Sequence, residues 1–136
     1  MSNEAKKLLK PTFDVLKFDL SRVRIEFTGI RGNPAETDGD VIHIDRDYWR
    51  KAKPLKQMMI LTHEITHSVQ FDRLGYWKAR MRFAAEKVKY GSDGVYDIPG
   101  ELDRLKLNQI NPIDSRFTLE SIGARMEAFA RTTPVP

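Results

Sequence analysis

The stretch from Pro54 to Gly75 constrains this chain more than any other. Proline suits the first turn of a helix and glycine its C-terminal cap, and the pattern stays helical from Leu55 to Leu74. Met58, Leu61, Ile65 and Val69 form one apolar stripe, while Ile60, Phe71 and Leu74 lie on another side. A helix that is apolar on more than one face belongs in the middle of a fold. Yet its centre reads LTHEITHSVQ, residues 61–70. Unpaired polar groups are costly to bury, so His63, Glu64 and His67 need partners there.

The chain has 136 residues, enough for one modest domain with its own core. We expect a single domain over 1–136, with residues 1–19 as an N-terminal arm and 132–136 as a frayed tail. Hydrophobic content of 40% and charged content of 31% suit a soluble globular chain. The longest apolar run is Met58 to Leu61, too short for a transmembrane helix, so no membrane partner is expected. The N-terminal MSNEAKKLLKPTFD carries an early glutamate and lacks the apolar run of a secretory signal. A cytoplasmic location follows as the expectation, with signal-independent export left open. There are no cysteines, so a metal would have to be held by histidine and carboxylate. The net charge of +4 permits an acidic partner without requiring nucleic acid.

Elsewhere the pattern predicts an α+β fold, with a small antiparallel or mixed sheet first and helices after it. A short helix is expected around Glu4 to Leu9, ended by Pro11. Residues 23–27 (VRIEF) and 41–45 (VIHID) read as strands that pair, and Gly29 to Asp40 as a loop between them. Asp45 to Lys53 is a link or short helical turn. A second helix covers about Tyr76 to Val88, with Trp77, Met81, Ala84 and Val88 facing inward at helical spacing. Tyr90 to Gly100 and Asn108 to Ser115 read as loops around a short helix, Glu101 to Lys106. The last helix spans about Phe117 to Arg131, with Asp114 or Ser115 as N-cap.

Residues four apart on a helix share a face. His63 and His67 can therefore offer two imidazoles to one ion. Glu64 is rotated roughly 100° from His63, which suits a base that reaches water beside the metal without ligating it. A set of two histidines and a carboxylate points to one zinc ion. The third ligand has to come from outside the motif. His43 is the only other histidine, and it lies upstream in a strand. Glu101, Glu120 and Glu127 qualify by type. Glu120 and Glu127 share a face of the last helix, and small Gly123 and Ala124 would let that helix approach closely. Glu120 is our choice of ligand. Glu127 is the alternative ligand, or a carboxylate that orients a histidine. Glu101 reads as an N-terminal helix charge.

The HExxH run resembles the zincin metallopeptidases, and with a downstream glutamate it resembles their gluzincin-like sites. The wider pattern SRVRIEF…AETDGDVIHID…ILTHEITHSVQFDRLG…FTLESIGARMEAFA resembles small peptidase domains associated with contractile injection systems and polymorphic toxins. That resemblance implies zinc-dependent peptide hydrolysis in which zinc activates a water and Glu64 takes its proton. It also implies a protein or peptide substrate, a toxin or effector role and association with a secretion or injection machine. The developing oxyanion would need a donor, for which His43, Tyr90 and Tyr96 are candidates. Val41 to Asp45 would be the edge strand that pairs with extended substrate. Around the third ligand this chain lacks the clear Glu-X-Glu-Ala of the pattern.

Two other readings compete. One is a non-catalytic binding or assembly module on a zincin fold. The other is a nucleic-acid-associated protein, prompted by the basic and aromatic residues of YWKARMRFAAEKVK.

Overall fold

The computed structural model describes residues 1–29 and 34–132. It is α+β, with strands confined to the N-terminal half. The helices are α1 (Asn3–Val15), α2 (Arg46–Lys51), α3 (Pro54–Leu74), α4 (Tyr76–Gly94), α5 (Gly100–Asp103) and α6 (Leu119–Thr132). The strands are β1 (Arg24–Thr28), β2 (Ala35–Asp38) and β3 (Val41–Asp45). Residues 30–33 of the expected loop and 133–136 of the expected frayed tail lie outside the described residues. No described helix is long and apolar enough to cross a membrane.

The first helix does not stop at Pro11. It runs through that exposed proline to Val15, because Leu9 and Phe13 drive into the core on either side of it. Its end is a Schellman turn: Phe18 N–H donates to the Phe13 carbonyl and Lys17 N–H to that of Asp14, both at 3.0 Å. Lys17 sits there at φ 56, where a side chain is strained and glycine is not. Lys17→Gly is expected to stabilise the protein by about 0.5–1 kcal/mol, read as a higher urea midpoint with an unchanged slope.

The sheet is mixed, in the order β1-β3-β2. β1 pairs in parallel with β3, Arg24 opposite Val41. β2 is an antiparallel hairpin partner of β3, inside the stretch expected to be loop. Gly39, at φ 63, is the first of the two hairpin residues, where such a turn favours glycine. β3 is therefore the central strand, and Ile42 and Ile44 are its fully buried residues.

Helix α3 runs between Pro54 and its cap Gly75 as the sequence predicts. Every residue from Met59 to Phe71 is buried. Leu61, Ile65 and Val69 join the main core with Phe13, Ile42, Ile44, Ile122 and Met126. Thr62 and Thr66 are satisfied by donating to the carbonyls of Met58 and Thr62, each at 2.7 Å.

Helix α4 is longer than expected and has a break at Gly91. It also faces the other way. Trp77, Met81 and Val88 are 75%, 72% and 88% exposed, so the expected inward stripe points outward; Ala84 is exposed with it. What docks the helix is a polar pair. Arg82 donates to the carbonyls of Ile113, Asp114 and Phe117. Glu86 pairs with Arg82 at 2.9 Å and accepts from Leu119 N–H at 2.7 Å. The second contact satisfies a free N–H at the start of α6. Beside it, Thr118 caps α6 by accepting from Ser121 N–H at 3.0 Å. Thr118 replaces the expected cap, Asp114 or Ser115. Asp114 is instead occupied with Arg116.

Candidate metal centre

Helices α3 and α6 pack so closely that Gly123 is part of the site. A Cβ at Gly123 would lie 3.0 Å from His63 Cε1 and 3.1 Å from its Nε2. Only a hydrogen fits between this backbone and the ring. That approach brings Glu120, one turn earlier on α6, over both histidines of α3. Glu120 Oε1 lies 3.0 Å from His63 Nε2 and 2.5 Å from His67 Nε2. The two rings stand edge to face at 4.7 Å between centroids. One ligand atom from each of His63, His67 and Glu120 falls within 4.8 Å of the others, the only such grouping among the described residues.

Each histidine is held from behind. Gln70, fully buried, donates through Nε2 to the carbonyls of Pro112 and Leu119 at 2.9 and 3.1 Å. Its oxygen is thereby turned to His67 Nδ1 at 2.7 Å. Nδ1 must then carry a proton, which fixes Nε2 as the nitrogen that meets Glu120 and the one a metal would take. Phe83 of α4 packs edge-on against the same ring at 4.9 Å. On His63 the rear partner is Glu127, whose Oε1 is 2.9 Å from Nδ1 but out of line for a hydrogen bond. Glu127 is thus behind a histidine and Glu120 in front.

Burial alone would pull the His63 imidazole down. The contacts with Glu120 and Glu127 and the charge of Glu64 outweigh it and push the ring up to about 10. Burial likewise opposes ionisation of Glu120, but the charge of His67 and the hydrogen bonds from both rings hold its carboxyl well below the usual range.

Glu64 is buried and lies beside a cavity of about 480 Å³ that His67, Glu120 and Tyr96 also line. The Thr37 hydroxyl sits 2.9 Å from Glu64 Oε1 and 3.0 Å from its backbone carbonyl, able to donate to either. Thr37 belongs to β2. The edge of the sheet therefore positions this carboxylate, and Ala35, Glu36 and Thr37 form one wall of the cavity. Tyr96 donates to Glu120 Oε2 at 3.3 Å. Burial first, then the negative charge of Glu120, pushes its phenol up, so it remains a donor.

Two expected contacts are elsewhere. His43 sits in the central strand, partly exposed, 3.5 Å from Glu26, and does not line the cavity. Tyr90 is half exposed beside Lys89 and does not line it either. Glu101 is bound to Arg116 at 2.6 Å. Thr37 and the role of Gln70 were not reached from the sequence. Gln70 had a readable signal, being three residues past His67 on the same helical face.

Gln70→Leu should leave His67 Nδ1 without its partner and remove the donor shared by the Pro112 and Leu119 carbonyls. We expect a loss of about 2–4 kcal/mol in stability, read by urea unfolding. If the grouping holds a metal, its affinity should fall about 10–100-fold. No family model, curated protein or solved structure matches this chain.

Proposed function

We propose that this chain is a zinc-dependent peptidase in which His63, His67 and Glu120 hold one zinc ion and Glu64 is the general base. The observation that carries the reading is the convergence of three lone-pair donors on one point, from two helices, with Glu64 beside them in an open cavity. The donor set suits zinc: two imidazole nitrogens, one carboxylate oxygen and no thiolate, the three-ligand set that in catalytic zinc sites leaves the fourth position to water.

Bound there, zinc would polarise water and substrate carbonyl and bring the water's pKa toward about 7. The residues of the chain account for the other steps. Glu64 accepts the proton of the attacking water and passes it to the leaving amine. Thr37 fixes the carboxylate that does so. Tyr96, protonated and within reach of Glu120, donates to the oxygen that gains charge. β2 is the edge strand beside the cavity, so extended substrate would pair with Ala35 to Thr37. This replaces Val41 to Asp45, which are enclosed between β1 and β2.

Zinc titration of the metal-free chain tests the site. We expect one ion per chain, and a stability gain of about 2.7 kcal/mol at free zinc about a hundredfold above Kd. His67→Ala and Glu120→Gln should each lose that gain. Equal binding by both variants would place the metal elsewhere.

The pH dependence has opposite signs with and without metal. In the metal-free protein His63 is raised from 6.5 to about 10. A group raised on folding stabilises fully below its unfolded pKa, and that contribution is lost as pH rises through the folded one. The thermal midpoint in chelator should therefore fall between pH 6.5 and about 10. Zinc needs the neutral ring, so its stabilising effect should grow over the same range. A flat profile in chelator would contradict the His63–Glu120 contact.

A further inference from the structure

Helix α4 turns an apolar stripe outward. Trp77, Met81 and Val88, with 75%, 72% and 88% of their surface exposed, recur at helical spacing, and Ala84 and Ala85 fill the gaps between them. Both flanks of the stripe are basic. At roughly 100° per residue, Lys78 and Lys89 fall on one side and Arg80 and Lys87 on the other. The four cations are all exposed; Arg80 is 3.8 Å from Asp38 of β2, and the three lysines carry most of the basic character. Between Tyr76 and Tyr90 the one acidic residue is Glu86, which is turned inward and paired with Arg82. The inner face of the helix is already occupied by Ala79, Arg82 and Glu86; of the stripe, Trp77 meets the Tyr76 ring edge-on at 5.1 Å, while Met81 and Val88 stay largely exposed.

We propose that this face docks on an anionic phospholipid surface. A helix lying in a bilayer interface needs this arrangement: an apolar strip to enter the headgroup boundary, with cations on both sides to meet lipid phosphates. The choice of cation favours lipid over a protein partner. Three of the four are lysines, which protein interfaces avoid, whereas lysine stems can lie along apolar surface while their ammonium groups stay in water. The centre of the stripe disfavours nucleic acid. Met81, Val88 and the alanines offer neither a stacking plane nor a hydrogen bond, and Trp77 is the one aromatic ring among them. Tyr76, next to it, is stacked on Phe71 and bonded to Asp38. Such docking departs from the expectation of no membrane partner, which rested on the lack of a spanning helix alone; a surface contact needs none. It does not depend on the proposed peptidase, although Arg80, Ala84 and Lys87 also line the cavity and set its mouth beside the docked face.

Co-sedimentation of the whole chain with vesicles tests this, using phosphatidylcholine alone and phosphatidylcholine mixed with phosphatidylglycerol. We expect uptake by the mixed vesicles at low salt and little by phosphatidylcholine. Each of Lys78→Gln and Lys89→Gln should weaken uptake about fivefold. Met81→Gln with Val88→Gln should abolish it while leaving the circular dichroism and thermal midpoint as in the wild type, since both side chains are exposed. The proposal is overturned if the wild type stays in solution with mixed vesicles, or binds both lipids equally. It also fails if the Met81/Val88 variant is taken up like the wild type. Retention on single-stranded DNA or an acidic peptide without vesicle uptake would assign the face to that partner and overturn it too.

Discussion

Replacing Glu64 by Gln is expected to cut peptide hydrolysis by roughly 10²–10⁴-fold while one zinc ion still binds. The two effects separate because of where the carboxylate sits. Glu64 is on the same helix as the two histidines, but the convergent set is His63, His67 and Glu120. Its side chain points to Thr37 on β2 and to the cavity. Glutamine keeps the shape and can still bond Thr37, but it cannot take a proton from water. Zinc content is measured by metal analysis after dialysis, and turnover on an unstructured protein substrate. A variant as active as the wild type would end the role proposed for Glu64, whatever the metal content. Loss of both metal and activity would point instead to a carboxylate that ligates.

Thr37→Val refines the same experiment. Valine has the shape but no hydroxyl, so the Glu64 carboxylate should lose its aim. The expected signature is a lower kcat with a smaller change in KM, and partial recovery in Thr37→Ser.

Much of the site was legible because it is local. His63 and His67 share a face by helix geometry alone, and Pro54 and Gly75 mark the ends of α3 by their own backbone preferences. Glu120 was reachable because carboxylates near a small residue on a later helix are few. The parts that were missed depend on partners distant in sequence. β2 reads AETD, four residues with no large apolar side chain, and becomes a strand because β3 offers it a ladder. Pro11 ought to end a helix, and fails to because Leu9, Thr12 and Phe13 bury on both sides of it. The stripe of Trp77, Met81 and Val88 was found by its period, yet period does not say which way a face turns. That was decided by Arg82 and Glu86, whose partners at Ile113, Asp114, Phe117 and Leu119 lie some thirty residues on.

Gly123 gives the sharpest test of the packing that builds the site. By helix propensity alone, Gly123→Ala in the interior of α6 should stabilise the protein by about 1 kcal/mol. The structure reverses that sign. The new methyl would sit 3.0–3.2 Å from three atoms of the His63 ring. The ring is buried between Glu120 in front and Glu127 behind, so it cannot swing away without losing one of them. Overpacking of this kind costs about 1–3 kcal/mol. We therefore expect Gly123→Ala to lower the unfolding midpoint, and to weaken zinc binding by roughly tenfold or more as Nε2 moves from the convergence point. The two opposing contributions can be separated in a double-mutant cycle. In a His63→Ala background the clash is gone and only the propensity gain remains, so adding Gly123→Ala should stabilise. A coupling of that sign ties the glycine to the histidine. Additive effects would mean that the two helices do not meet at this ring.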